Sequence, residues 1–259
     1  MRPLAELDAA IARRIAGLFT DIDDTLTLDH ALVPEAYAAL CDAAKAGLRV
    51  VPVTGRPGGW AEVLAALWPV DAVVAENGAL AVLRNGEHRY WDSFPVRAEQ
   101  RRRLDQLAAD LLARLPFARL VDDQPLRRVD VAFDIGERQR LSPQQIAAIV
   151  EVITAHGARA LVSTVHAHAY FGDHDKAAML ARIAGELWGD DAATLRERYL
   201  FIGDSPNDQA GFAFFPISVG VANVAQFADR LVPPPTYVTD GSGGHGFAEM
   251  VRALLALRV

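Results

Sequence analysis

The 259-residue chain is poor in cysteine and lacks an excess of positive charge. Its single cysteine, Cys41, excludes a disulfide within the chain. Its 26 lysines and arginines are outnumbered by 33 acidic residues, which gives a formal net charge of −7. Proteins that bind nucleic acid need a basic face, so nucleic acid is not expected as a partner. A small anionic substrate is still compatible with this composition, because a pocket can be locally positive on an acidic protein.

Long apolar runs are also missing. The most apolar stretch, at residues 212–215, is ended by Pro216 and is far too short to span a bilayer. The first residues include Glu6 and Asp8 and no continuous apolar segment, unlike a secretory signal peptide. These observations predict a cytoplasmic protein without a membrane partner.

An acidic turn follows an apolar run near the start of the chain. Residues 16–19 are apolar and lead into Asp21, Asp23 and Asp24. In open α/β sheets, ligands bind at the carboxyl ends of the strands. Carboxylates crowded at one strand end repel each other unless a cation neutralises them, and oxygen ligands favour magnesium. The turn therefore predicts a Mg²⁺ site, with a solvated acidic loop as the alternative.

Polar side chains also follow two later apolar runs. The valine-rich run at 48–53 ends in a Thr-Gly-Arg sequence, and the run at 199–202 ends in an acidic loop at 203–208. Between them in the sequence, Lys176 begins a helical pattern. Acidic residues, phosphate-oxygen donors and a lysine, mostly at strand ends, are the groups that phosphoryl transfer requires.

With these four stretches in this order, the sequence resembles the haloacid dehalogenase (HAD) superfamily. The resemblance runs from about Leu18 to the C-terminus, with one large insertion. Its four motifs are the Asp-x-Asp-x-Thr turn at 21–25, Thr54 after the second run, Lys176, and Gly-Asp-x-x-x-Asp at 203–208.

The insertion is visible as a change of pattern. Alternation of strands and helices is lost between about residues 84 and 171, where a hairpin, helices and further strands are predicted. An insertion at this place resembles a C2 cap, and its α+β make-up resembles the C2B kind of the Cof-type branch, subfamily IIB. The resemblance implies an α/β fold. Residues 1–83 and 172–259 would form a Rossmann-like core with a parallel sheet, and residues 84–171 an inserted α+β cap domain.

The resemblance also implies roles for the motif residues. Asp21 would be the nucleophile that forms an aspartyl phosphate, and Asp23 the general acid and base. Lys176 would offset the charge between nucleophile and phosphate. Asp24 stands where the family often has glycine, and a turn or capping role is expected for it.

The metal and phosphate contacts follow from the same resemblance. Magnesium would be held by Asp21, the backbone carbonyl of Asp23, and Asp204, with Asp208 binding directly or through water. The phosphate would be bound by Thr54 and the Gly55 N–H. For Arg56 a substrate contact and a structural contact are both open, and Asn207 would orient Asp208 or touch the phosphate.

Residues of the predicted cap offer a further set of polar groups. His166, His168 and Tyr170 alternate, so they share one face of a strand. Together with Arg128 and Asp130 they could recognise the substrate. An ordinary polar strand face is a second interpretation, and a zinc site that includes Asp173 or His174 is a third.

The favoured function is a Mg²⁺-dependent phosphomonoester hydrolase that acts on a phosphorylated sugar or a similar small metabolite. The first alternative is a phosphomutase of the phosphomannomutase kind, which would share every motif residue. Two non-enzymatic alternatives are a phosphate-binding protein that kept the fold and a phospho-accepting signalling domain. Signalling domains are about half as long and lack an acid and base in the same turn as the nucleophile. A monomer or a homodimer is expected.

Overall fold

The computed structural model describes residues 1–258. The strands are β1 (Arg2–Pro3), β2 (Gly17–Thr20), β3 (Thr27–Leu28), β4 (Ala31–Leu32), β5 (Arg49–Pro52), β6 (Ala72–Ala75), β7 (Leu80–Leu83), β8 (His88–Tyr90), β9 (Val131–Asp134), β10 (Arg159–Val162), β11 (His166–Tyr170), β12 (Tyr199–Gly203), β13 (Ser218–Gly220) and β14 (Tyr237–Val238). The α-helices are α1 (Ala9–Arg14), α2 (Pro34–Lys45), α3 (Gly58–Leu67), α4 (Phe94–Arg114), α5 (Pro143–Ala155), α6 (Lys176–Trp188), α7 (Ala192–Arg198), α8 (Gln209–Phe214) and α9 (Gly243–Ala256).

A six-stranded sheet forms the centre of the molecule, in the order β1-β14-β13-β12-β2-β5, and every neighbouring pair is parallel. Strands β2 and β12 are buried along their whole length, as expected of a parallel sheet with both faces covered. One apolar cluster, which includes Leu18, packs on one face, and another, which includes Phe19, packs on the other. The predicted α/β fold class with a parallel-sheet core is confirmed.

The sheet register brings three of the motifs to one edge. Thr20, the last residue of β2, is paired with Pro52 of β5 and with Ile202 of β12. Each of these strands ends within two residues of its motif. Parallel strands in register also finish at the same edge of the sheet. Asp21, Thr54 and Asp204 therefore begin their loops side by side.

A small antiparallel sheet, β6-β7-β8, extends this core. Val74 of β6 forms a parallel bridge with Val53, directly after β5. Strand β8 lies beyond residue 84, yet it pairs with β7 beside the core. We therefore propose that the inserted unit begins after β8, and the predicted boundaries at 83/84 and 171/172 stay predictions.

The insert, as we name residues 91–171, contains a second antiparallel sheet in the order β10-β11-β9. Helices α4 and α5 cover one face of this sheet with their own apolar cluster, to which Leu104, Leu107, Ile149 and Phe133 belong. The opposite face carries His166 and His168. This face lies against the carboxyl edge of the central sheet, because His166 and His168 border the same cavity as Asp21.

A buried carboxylate connects the core to the insert. Glu76, Asn77 and Gly78 follow β6 with φ values of 48°, 56° and 104°, three successive left-handed residues. Glu76 Oε1 accepts hydrogen bonds from the backbone N–H of Gly58 at 2.9 Å and of Arg128 at 2.8 Å. Its Oε2 accepts from the N–H of residues 129 and 130 at 2.7 and 2.9 Å. One side chain thus satisfies one N–H of the core and three of the insert.

We expect Glu76→Gln to lower the free energy of unfolding by about 2–4 kcal/mol, because an amide offers one oxygen to four donors and buried N–H groups without partners are costly. Urea unfolding measures the change. Glu62→Gln is the matched control, since Glu62 is partly exposed and pairs with Arg128 at the surface. A Glu76 variant within about 0.5 kcal/mol of wild type would contradict the role of this carboxylate.

None of the helices in the described part of the chain, residues 1–258, has the length and apolar character needed to cross a membrane.

Candidate active site

Three buried carboxylates meet at the carboxyl edge of the central sheet. Asp21 follows β2, and Asp204 and Asp208 lie in the loop after β12. One ligand oxygen from each lies within 4.8 Å of the others, and the three residues are at most 2% exposed. Oxygen ligands with an excess of negative charge are the donors that Mg²⁺ prefers, so the residues present fit this metal.

Lys176 contacts this cluster from the start of α6. Its Nζ donates to Asp21 Oδ1 at 2.6 Å and to Asp208 Oδ1 at 2.7 Å, and the residue is 1% exposed. Burial lowers the pKa of Lys176, but Asp208 and Asp21 outweigh it and hold that pKa above its ordinary value. A charged ammonium is therefore fixed beside the predicted nucleophile.

One ammonium does not balance three carboxylates. Burial raises the pKa of Asp21 well above its ordinary value, against the attraction of Lys176. Burial also raises the pKa of Asp204, and the neighbouring carboxylates Asp21 and Asp208 add to the effect. The cluster thus has a deficit of positive charge, which a divalent cation would remove.

Backbone groups hold Asp208 in place. Its Oδ2 accepts hydrogen bonds from the N–H of Asp204 at 2.9 Å and of Ser205 at 3.2 Å, while Oδ1 accepts from Lys176. Both oxygens are engaged, so this carboxylate positions the loop and Lys176. Asn207, predicted near it, instead accepts a hydrogen bond from the Ser205 hydroxyl at 2.7 Å and borders the cavity.

Asn223 belongs to the site although it was not predicted from the sequence. Its Nδ2 donates to Asp204 Oδ2 at 3.2 Å and to the Asp24 carbonyl at 3.0 Å, while its Oδ1 accepts from the N–H of Gly243. It follows β13, which ends at the same edge of the sheet as β2 and β12. A polar residue just after a fourth apolar run was the available signal.

Asp23 lies apart from the carboxylate cluster. Arg56 donates from Nε and Nη2 to its Oδ1 at 2.9 and 2.7 Å. The Thr54 hydroxyl lies 3.4 Å from its other oxygen and accepts a hydrogen bond from the Arg56 N–H. The side chain is thus held on the Thr54 side of the cavity, and a metal contact through the Asp23 backbone carbonyl stays a prediction.

Arg56 also joins the core to the insert. Its Nη1 donates to Glu137 Oε1 at 3.1 Å, and Glu137 Oε2 lies 2.8 Å from His166 Nε2. The hydrogen bond with His166, together with Arg56, lowers the pKa of Glu137 to about 2. Of the two roles considered for Arg56, a structural contact is therefore present.

The insert closes the site. The core and the insert enclose a small cavity between them, and the residues that line it are Asp21, Asp23, Gly55, Ser205 and Asn207 from the core and Ser163, Thr164, Val165, His166 and His168 from the insert. The predicted phosphate and acid/base residues thus face two histidines of the insert. His168 is held by Asp130, whose Oδ2 lies 2.8 Å from its Nδ1.

Arg128 lies outside the cavity, and two of the histidines considered for a zinc site pair with carboxylates. Arg128 precedes β9, where strand alternation does not apply, and its side chain pairs with Glu62 at the surface, so we do not include it in the site. Within residues 1–258, the group of side chains that could hold a metal is the carboxylate cluster. His166 and His168 pair with carboxylates of the insert instead.

The fold and site combine a parallel α/β core with three buried carboxylates, a buried lysine and Asp23, under an inserted unit. The model of the haloacid dehalogenase-like hydrolase family matches residues 18–106. This segment contains Asp21, Asp23 and Thr54. No curated protein sequence matches the chain significantly.

Solved structures share the fold over nearly the whole chain. A phosphatase of the HAD superfamily from Bacteroides thetaiotaomicron, BT1666, has a TM-score of 0.66 at 19% identity and covers 98% of each chain. A putative HAD/COF-like hydrolase from Plasmodium vivax has a TM-score of 0.69 at 18% identity, over 96% of this chain and 100% of its own. The sucrose-phosphatase of Synechocystis sp. PCC6803 has a TM-score of 0.66 at 16% identity, over 93% and 98%.

The family match over residues 18–106 and the shared fold confirm the resemblance predicted from the motifs.

Proposed function

We propose that this hydrolase is a Mg²⁺-dependent phosphatase that releases phosphate from a sugar phosphate or similar monoester through an aspartyl phosphate on Asp21. The arrangement that carries the proposal is Asp21 between Lys176 and Asp204, with Asp23 across the same cavity. Phosphatases are also found among the solved structures that share this fold, including the sucrose-phosphatase.

In the first step, a carboxylate oxygen of Asp21 attacks phosphorus. The new bond joins phosphorus to Asp21, the bond to the leaving oxygen breaks, and Asp23 gives that oxygen a proton. Lys176 stabilises the charge that builds up between the carboxylate and the phosphoryl oxygens. Thr54, the Gly55 N–H and Asn207 would bind those oxygens.

In the second step, water replaces the substrate alcohol. Asp23, now ionised, takes a proton from the water, whose oxygen bonds to phosphorus as the bond to Asp21 breaks. Asp21 is restored and inorganic phosphate leaves. The insert keeps bulk water out of the cavity while the phosphoenzyme waits for this step.

Asp21 and Asp204 would hold Mg²⁺, with Asp208 close enough to bind directly or through water. Bound there, the ion would neutralise charge on the nucleophile and the phosphate oxygens. The Mg²⁺ identity, the cytoplasmic location and the monomeric or dimeric state stay predictions.

The test is phosphate release from p-nitrophenyl phosphate and a panel of sugar phosphates, with Mg²⁺ or with EDTA. We expect EDTA to lower the rate at least about 100-fold, since the metal supplies several kcal/mol of charge stabilisation. Restoration by excess Mg²⁺ is the control. Full activity in EDTA would contradict the metal dependence. Phosphate release from none of the compounds would contradict the proposed phosphatase activity. Conversion of one sugar phosphate into its isomer would identify a mutase.

A further inference from the structure

The cavity wall formed by the insert presents a hydrogen-bond acceptor. His168 is 1% exposed, and its Nδ1 lies 2.8 Å from Asp130 Oδ2. Burial lowers the pKa of His168 to about 4, against the opposing effect of Asp130, so the ring is neutral at neutral pH. A neutral ring beside an ionised carboxylate carries its proton on Nδ1, which leaves a lone pair on Nε2.

His168 Nε2 lies close to Gly55, in the loop after β5 that is predicted to bind phosphate. A Cβ atom added to Gly55 would lie 3.1 Å from His168 Nε2. His168 and Gly55 border the cavity together with Asp21 and Asp23. The alcohol part of a substrate whose phosphate lies on Asp21 would therefore meet this lone pair.

Arg127 fixes the carboxylate that orients His168. Arg127 Nη1 donates to both oxygens of Asp130, at 3.0 and 3.1 Å, and to the Gly55 carbonyl at 2.9 Å. Its Nη2 donates to Asp123 at 3.3 Å. Burial raises the pKa of Asp130, but Arg127 and the hydrogen bond with His168 outweigh it and hold that pKa below its ordinary value.

The other guanidinium beside the cavity, Arg56, is engaged by Asp23 and Glu137. Arg56 and Arg127 thus face four carboxylates, those of Asp23, Glu137, Asp130 and Asp123. Both arginines are occupied by the protein itself. Even with Asp23 protonated, as the first step requires, three carboxylates face two guanidiniums. A second anionic group of a substrate would meet repulsion there, because Arg56 and Arg127 are both paired already.

Arg140 does not line this cavity. It lines an adjoining outer cavity of about 350 Å³, which shares Thr164 and Val165 with the inner one and also contains Asp24 and Asp29. A hydrogen bond from the Thr164 hydroxyl to Asp24 Oδ2, at 3.0 Å, lies between the outer and the inner cavity. The outer cavity therefore has its own carboxylates beside its arginine.

We propose that the substrate is a phosphate monoester whose alcohol part carries hydroxyl donors and no second negative charge, and that His168 accepts a hydrogen bond from one of those hydroxyls. Asp130 is the positioning residue that keeps the acceptor nitrogen towards the cavity. This inference rests on the proposed phosphatase function and adds the chemical class of its substrate.

The test compares substrates that differ in one charged group. The pairs are sorbitol 6-phosphate and 6-phosphogluconate, fructose 6-phosphate and fructose 1,6-bisphosphate, and glycerol 3-phosphate and 3-phosphoglycerate, with p-nitrophenyl phosphate as the measure of phosphatase activity. In each pair the first compound has an uncharged alcohol part, and we call it the neutral member. We expect its kcat/KM to be at least about tenfold higher, because the second charged group of the other compound would face carboxylates.

Variants test the assignment to His168. In Asp130→Asn the amide can donate a hydrogen bond to His168 Nδ1, which moves the ring proton to Nε2 and turns that nitrogen into a donor. The ratio of kcat/KM between the neutral and the anionic member of a pair should then fall at least about tenfold. His168→Gln removes the fixed acceptor and should lower the preference several-fold, which keeps the test valid if Asp130→Asn does not fold. The matched controls are Asp110→Asn and His156→Gln, which alter a second Asp–His pair of the insert, at 2.8 Å, on α4 and at the end of α5.

The outcomes separate the two levels of the proposal. Equal or better cleavage of the anionic members overturns the substrate class while the phosphatase stands. So does activity towards p-nitrophenyl phosphate with none towards any neutral member. If Asp130→Asn and His168→Gln both keep the wild-type preference for the neutral members, the role of His168 is overturned. Release of phosphate from no compound contradicts the proposed function, and the inference is then overturned with it.

Discussion

Replacing Asp21 by asparagine is expected to lower kcat for phosphate release by at least about 10,000-fold, because an amide oxygen is a poor nucleophile and no other group can form the phosphoenzyme in its place. The neighbouring carboxylates do not substitute for it. Asp23 is held by Arg56, and Asp208 accepts hydrogen bonds from two backbone N–H groups and Lys176. Steady-state phosphate release at saturating substrate measures the loss.

The loss should not come from unfolding. Asparagine removes one negative charge from a cluster in which three carboxylates share one lysine, so the Tm without metal should equal or exceed that of wild type. Asp191→Asn is a matched control, since Asp191 is an exposed N-cap of α7 and asparagine caps helices equally well. An Asp21→Asn variant with more than about a tenth of wild-type activity would show that another group is the nucleophile.

Replacing Lys176 by methionine should reduce both activity and stability. Methionine fills a similar volume but leaves Asp21 and Asp208 buried without the cation that both contact. Removing one partner of a buried ion pair costs about 3–5 kcal/mol, so we expect a loss of that size in metal-free urea unfolding at neutral pH. The kcat should fall at least about 1,000-fold, because charge on the phosphoryl oxygens loses a fixed electrostatic partner.

Magnesium separates these two effects. If the cluster binds Mg²⁺, the added cation should restore part of the lost stability but not the activity. The chain contains one other lysine, Lys45, which is well exposed at the end of α2, and Lys45→Met is the matched control. Unchanged stability of Lys176→Met would mean that the carboxylates are neutral in the folded protein, which would contradict a charged cluster.

The sequence predicted the part of the site that depends on strand ends. An apolar run followed by a carboxylate is a local signal, and parallel strands place their ends at one edge. Asp21, Thr54 and Asp204 could therefore be placed together without a structure. Lys176 needed the resemblance, since a lone lysine at a helix start usually faces solvent.

The pairings that involve the insert could not be predicted in the same way. Glu137 contacts Arg56 across 81 positions of sequence, and Asp130 contacts His168 across 38. The first contact depends on how the insert rests on the core and the second on how its strands pair, and local patterns carry no information on either. Arg128, which was grouped with His166 and His168 from the sequence, precedes β9, and its side chain pairs with Glu62 at the surface.

The placement of the two lysines has a practical consequence. Lys176 is buried at the carboxyl edge of the sheet, whereas Lys45 precedes β5 and so lies towards the amino edge. Of the two lysines, a reagent that couples amines to a solid support will therefore act on Lys45. Attachment through Lys45 would direct the cavity between core and insert away from the support.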